Sequence, residues 1–282
     1  MEKRVSRSRA GNIVMIVFLA AFSGIMLLPL IFAVSMSLKP PGELWRFPPS
    51  FLPVNPTFKN YRDLFNLVTD TWVTIWRYLF NTCFITIVGT FGHIFIASLA
   101  AYPLSRYKFP GSKAIFVMIR TSLMFSGAVL AIPNYLVMNS LNLIDNYASL
   151  ILPAFSSTLG LFLMKQFMDQ MIPIPLLESA DIDGANDFMK YLKIVMPLVK
   201  PAWLTLLILS VQNLWQTGAT PYIYSEELKT LPYALSQISS GGLARAGIGA
   251  AISILLIIPP LLVFIISQSN VIETMATSGM KD

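Results

Sequence analysis

Apolar positions in this chain do not alternate with polar ones. They gather in long unbroken runs. The first run, 13–36, contains no charged residue. A helix needs about 20 mostly apolar residues to cross a bilayer. Further runs at about 78–104, 114–138, 147–168, 198–219 and 248–266 meet that length. The pattern predicts an all-α, polytopic membrane protein with six transmembrane helices. A short N-terminal segment (1–12) precedes a single membrane domain (13–282). The spans are separated by a long segment at 37–77, a basic turn beginning at Ser105, a polar turn at 139–146, a long polar stretch at 169–197 and another polar loop. A short polar tail, 267–282, ends the chain.

The first run follows Lys3, Arg4, Arg7 and Arg9, as the apolar part of a signal peptide would. Such a part is about 7–15 residues long, so an uncleaved first span is the expectation. The 37–77 segment holds Pro40, Pro41, Pro48, Pro49, Pro53 and Pro56, with Trp45, Phe47 and Phe51 between them. Proline removes a backbone donor and breaks helices, so this segment reads as an interfacial or folded loop. Composition agrees. Residues are 55% hydrophobic and only 12% charged, against about 25% charged in soluble domains.

Six spans put both termini on one side. Sorting Lys and Arg by side gives twelve with the termini, in short dense loops, and seven opposite. Basic loops stay cytoplasmic, so both ends are expected in the cytoplasm and the Pro-rich loop outside. The remaining cation, Arg120, lies within the third run. It can snorkel to the interface, or face a translocation path or partner subunit.

The chain is poor in catalytic groups. Its one cysteine, Cys83, and one histidine, His93, both sit in an apolar run. They allow no intramolecular disulfide and no Cys- or His-based metal cluster, and His93 is expected to be packed or hydrogen-bonded. No GxxxxGK[ST] phosphate loop is present. Carboxylates are nearly absent from the spans, which argues against an intramembrane enzyme and against a proton-coupled carrier.

Charged chemistry concentrates between the fourth and fifth runs. Leu176, Leu177, Ala180 and Gly184 form a narrow apolar stripe on a short helix, flanked by Glu178, Asp181 and Asp183. Gly184 can end that helix or bend the chain. Phe188, Leu192 and Val195 then repeat at helical spacing before Pro197 starts the next span. Helix, hinge, helix is the implied shape. It reads as a lever that another protein grips, or as an amphipathic helix lying on the membrane. The acidic face suits an anionic leaflet poorly and favours docking.

This loop resembles the EAA signature of the inner-membrane permeases of ATP-binding-cassette importers: E-A-A, three residues, G, nine residues, I-x-L-P. Glu178, Ala180, Asp183, Gly184 and Ala185 fit the pattern, as do Ile194 and Pro197. Ser179 replaces Ala, and Met196 replaces Leu. Other stretches are similar to the carbohydrate branch, maltose-type subunits in particular. They include 99–111, Ile132-Pro133, Leu143-Ile144-Asp145 and 162–167. The resemblance implies a sugar or oligosaccharide importer of the type I fold. This chain would pair with a second, homologous permease. Two ATPase subunits would bind ATP and magnesium, and an extracytoplasmic solute-binding protein would deliver the sugar. No cofactor is expected in this chain and no nucleic-acid partner. Glu178, Ser179, Ala180, Asp183, Gly184 and Ala185 would form the coupling contact, with Gly279 and Lys281 in a tail reaching the ATPases. Asn134, Tyr135 and Asn213 are polar or aromatic candidates for the substrate path, though packing between helices would also explain them. A permease for another solute, or a scaffold that binds an ATPase without transporting, fits the same residues.

Overall fold

The computed structural model describes residues 9–69, 73–218, 220–240, 242 and 245–278. No strand occurs among them. The chain forms two compact units, one built from Met1–Thr71 with Gln237–Leu255, the other from Trp72–Ser236 with the chain from Leu256 on.

In the first unit, helix α1 (Arg9–Leu38) is followed by the short α2 (Pro41–Leu44) and by α3 (Lys59–Thr69). None of the apolar window of α1 is buried by this chain. A helix apolar on all sides requires lipid or another protein around it. The prolines keep 45–58 non-helical, yet the segment is ordered by polar contacts. The Glu43 carboxylate accepts from Ser50 Oγ (3.2 Å) and the backbone N–H of Val54 (2.7 Å) and Asn55 (3.3 Å). These bonds hold Glu43 below the usual carboxylate range, the Val54 N–H contributing most. The Asn60 amide donates to the carbonyls of Ser37 and Lys39, each at 2.8 Å. It thereby closes the end of α1, whose last carbonyls have no intrahelical donor.

The second unit is organised by α4 (Ile75–Arg106), which packs against α7 (Ala148–Phe155), α8 (Thr158–Met171) and α12 (Lys200–Trp215). At one end the core joins Ala101 and Tyr102 of α4, Met164 and Met168 of α8, and Ala202 and Leu206 of α12. At the other, Ile85, Leu150, Ile151, Leu214 and Ile223 cluster. Mid-way, Nδ1 of His93 lies 2.6 Å from Ser210 Oγ, the hydrogen-bonded setting expected for this residue. Glycine is required at 160, because a Cβ there would lie 1.9 Å from His93 Nε2.

Among the described residues, four helical stretches are long and apolar enough to cross a membrane: Gly11–Leu38, Ile75–Arg106, Ala148–Met171 and Ala246–Gln268. Two bent pairs bring the number to six. One expectation needs correcting here. The third span is no straight helix. Helix α5 (Ser112–Ser122) meets α6 (Gly127–Ser140) at 112°. Thr121 and Ser122 bond back to the carbonyls of Val117 and Ile119, and the restart is Ser126-Gly127; such back-bonding and Gly/Ser pairs bend helices. The fifth span, expected from about 198, begins with α12 after a 76° bend. Pro197 and Pro201 flank that bend, and Trp203 Nε1 donates to the Met196 carbonyl beside it (3.2 Å).

The segment after α12 carries a 3₁₀ turn (Glu226–Leu228) and α13 (Leu231–Ser239). Helix α14 (Ala246–Ser278) then continues well beyond the sixth apolar run, so most of the expected tail is helical backbone. Nothing in its sequence stops it: there is no proline or glycine from Leu261 to Ser278.

Candidate functional site

The acidic loop folds as a compact corner. Helix α9 (Ile174–Ile182) starts after Pro173 and buries Leu177 and Ala180. Leu177 joins the core formed by α4, α8 and α12. The predicted stripe is therefore narrower than expected: Leu176 and Gly184 are exposed, as is Ile182 at 87%. Glu178, Ser179, Asp181 and Asp183 share that exposed surface. Ser179 Oγ bonds back to the Leu176 carbonyl at 2.9 Å, so its hydroxyl is engaged within its own helix.

Helix α9 ends on paired bonds. The N–H of Ala185 donates to Ala180 O (2.9 Å) and that of Gly184 to Asp181 O (3.1 Å). This is the Schellman arrangement, with Gly184 at the left-handed position (φ +78°). The chain turns at once into α10 (Asp187–Lys190), where the Asn186 side chain accepts from Met189 N–H at 2.8 Å. One helix end and the next helix start are thus both satisfied within four residues. A π-helical segment (Tyr191–Val195) and α11 (Met196–Leu198) lead to the bend before α12.

Three residues that the sequence reading passed over hold this corner. Lys190, 8% exposed at its side chain, lies 2.6 Å from Asp181 and 2.7 Å from Asp187. Tyr107, just past α4, hydrogen-bonds to Asp187. Burial first, and that bond second, push its phenol far above the ordinary value, so it remains a donor. The Arg106 guanidinium donates to the carbonyls of Met168 and Ile172 at the end of α8. Ser105 donates to Asp169 (2.6 Å), which also pairs with Lys165. Only the Asp187–Lys190 spacing of i, i+3 and the Lys165–Asp169 spacing of i, i+4 are legible in sequence. Between these groups and α9 lies a cleft of about 370 Å³, lined by Glu178, Asp181, Leu177, Tyr102, Arg106, Tyr107 and Lys108 among others.

The remaining candidates lie apart from this corner. Tyr135 stacks on Tyr222 (6.2 Å between centroids, 18°), and its hydroxyl is 3.5 Å from that of Tyr224. Asn134 is exposed beside it. The loop bearing Tyr222 and Tyr224 is pinned by Asp145, whose carboxylate accepts from the N–H groups of Tyr224 (2.9 Å) and Ser225 (2.8 Å) and from the Ser225 hydroxyl. Asn213 lines a different space, a cavity of about 230 Å³ bordered by His93, Ser157, Ser210 and Thr217. Neither Asn134 nor Tyr135 borders that cavity. Arg120 is exposed, 5.7 Å from the ring centre of Phe116, whose ring also carries Lys165 at 4.3 Å. Gly279 and Lys281 lie outside the described residues. Among the described residues no cluster of His, Cys, Asp and Glu could hold a metal.

Comparison with known proteins gives one consistent result. Residues 93–277 match the family described as "Binding-protein-dependent transport system inner membrane component". The chain is 33% identical over 226 residues to the polygalacturonan/rhamnogalacturonan transport system permease protein YtcP of Bacillus subtilis (strain 168), covering 80% of this chain and 76% of that protein. It is 30% identical over 275 residues to the arabinooligosaccharides transport system permease protein AraQ of the same organism, covering 96% of each. A crystal structure of a bacterial ABC transporter involved in the import of the acidic polysaccharide alginate superposes with a TM-score of 0.76. That match has 26% identity and covers 93% of this chain and 98% of that one.

Proposed function

Since the chain belongs to the family of binding-protein-dependent transport system inner membrane components, we propose that it is the permease half of a sugar or oligosaccharide importer whose α9 corner transmits ATPase closure to the membrane helices. A second permease completes the path. Two ATPases hold ATP and magnesium, and a solute-binding protein supplies the sugar from outside. The termini and the α9 corner face the cytoplasm, in line with the basic loops.

The observation that carries this reading is the corner itself. Leu177 anchors α9 in the core shared with α4, α8 and α12 and Ala180 is buried beneath the helix, while Glu178, Asp183 and Ile182 stay exposed. A docked ATPase therefore meets an acidic ridge with one apolar tip, fixed to the helices it must move. Population shift needs such a differential contact between states. The sugar class rests on the similarity to YtcP, a polygalacturonan/rhamnogalacturonan permease, and to AraQ, an arabinooligosaccharide permease. Gln212 and Asn213 at the end of α12 and Gln216 just past it are exposed on one face, which suits a path for a hydroxyl-rich solute. Asn213 belongs to that path, with Asn134 and Tyr135 nearer its mouth. Gly279 and Lys281, in the tail, make a further contact with the ATPases.

The test is uptake by the complete transporter in proteoliposomes, with a panel of oligosaccharides, uronate-containing fragments and non-sugar solutes. Accumulation of one sugar class, dependent on ATP and on binding protein, is expected. Uptake of a non-sugar solute alone would overturn the sugar assignment. Purification of the chain without any ATPase or second permease would overturn the importer reading as a whole.

A further inference from the structure

The α9 corner holds a charge that its docking role does not require. Lys190 is nearly out of water, yet its ammonium reaches two carboxylates from opposite sides. Asp181 lies in the last turn of α9, at 2.6 Å, and Asp187 opens α10, at 2.7 Å. Asp187 in turn accepts from Tyr107, which follows the last residue of α4. Only Asp183–Asn186 link the two short helices along the chain. Four residues containing a glycine form a compliant hinge, so the angle between α9 and α10 needs a cross-brace.

We propose that Lys190 is a positioning residue for coupling: its ammonium locks α9 to α10 through Asp181 and Asp187, and the Asp187–Tyr107 bond carries the locked corner to the end of α4. This inference rests on the reading of α9 as the element an ATPase grips. A push on α9 then reaches two membrane helices. One route runs along the chain through the π-helical segment and α11 to α12. The other crosses space to α4, the helix around which the second unit is packed. Exposed ion pairs contribute little. Here the cation is buried although both carboxylates are exposed, and removing it leaves two like charges near each other across the hinge with nothing holding them together.

The experiment uses the complete transporter in proteoliposomes. The ratio of sugar taken up to ATP hydrolysed is measured for Lys190→Met, Lys190→Arg and Tyr107→Phe. In parallel, spin labels at Ile182 and Lys193, both exposed, report the corner's geometry in a Cys83→Ser background. Lys190→Met keeps the stem but removes the charge. It is expected to broaden the label-to-label distance distribution and to lower the coupling ratio about tenfold, within the usual range of coupling between sites. Lys190→Arg, which keeps both pairs, is expected to restore a narrow distribution and most of the ratio. Tyr107→Phe removes only the bridge to α4, so the ratio falls while the distribution stays narrow; it also serves if Lys190→Met fails to assemble. A narrow distribution and an unchanged ratio in Lys190→Met, or an unchanged ratio in Tyr107→Phe, would overturn the proposal. Glu178→Lys separates the two readings. If it leaves the ratio intact, the docking reading fails, whereas the label distances test Lys190 whether or not α9 meets an ATPase.

Discussion

The indole Nε1 of Trp215 donates to the backbone carbonyl of Leu256, 3.1 Å away and 41 residues on in sequence. In an α-helix that carbonyl would accept from the residue four positions later. That residue is Pro260, which has no N–H. Trp215 is 7% exposed, so its indole supplies the donor that the proline withholds, in a region where water cannot.

Trp215→Phe should therefore destabilise the protein by about 1–3 kcal/mol, the cost of an orphaned buried polar group. In a Pro260→Ala background the helix regains its own bond, and the same change should cost clearly less. A double-mutant cycle from thermal unfolding in detergent checks this. Equal costs in both backgrounds would disprove the link.

Gly160→Ala should overpack the contact with His93, whose ring is fixed by Ser210, and cost about 1–3 kcal/mol. His93→Ala in the same chain should recover most of that loss, because the clash is with the imidazole. Monodisperse yield after heating, read by size-exclusion chromatography, reports both variants.

At Gly184 the obstacle is conformational. A Cβ would meet nothing within 4 Å, but φ is +78°. Gly184→Ala should cost about 1–2 kcal/mol from the left-handed backbone and leave the protein inserted. Gly184→Asn, which tolerates that region better, should cost less. Gly184→Asp adds a carboxylate to the ridge read as the ATPase contact and should abolish uptake. Ranking the variants by uptake against stability separates strain from docking. Uptake that survives Gly184→Asp with coupling intact would sink the lever reading.

The Asp145 carboxylate is held below its ordinary value of 3.8, first by the Ser225 hydroxyl and then by the Ser225 and Tyr224 N–H groups. A depressed carboxylate stabilises the fold above its unfolded pKa, and the gain is lost as pH falls through the lower, folded value. The loop carrying Tyr222 and Tyr224 should thus be insensitive to pH from neutrality down to 3.8 and loosen only below it. Asp145→Ala should loosen it at every pH. Asp145→Asn should fall between, since it tolerates the left-handed φ of +59° but accepts more weakly. Protease cleavage between Tyr224 and Leu228 measures all three.

Legibility tracked the range of the interactions. Span positions and the end of α9 at Gly184 could be read because helix length, apolar runs and a glycine stop are local properties. The 112° break at Ser126-Gly127 was missed. Apolar content is blind to direction, and the 114–138 run has the composition of a straight helix. The helix through the polar tail was not anticipated for a related reason. Polarity after 266 marks where lipid ends, but does not stop a helix that has no breaker before Ser278.

By itself the sequence determined that this is a helical membrane protein, roughly where it crosses, and which loop resembles the coupling signature. Hydrophobic transfer and backbone satisfaction in lipid admit few other solutions for such runs. Only the tertiary structure decided what holds those pieces together. Lys190 meets Asp181 nine positions away, Asp187 meets Tyr107 eighty residues earlier, and Trp215 serves a carbonyl on α14. Each partner is a common residue with no local signal, and its role exists only once packing has excluded the water that would otherwise satisfy it.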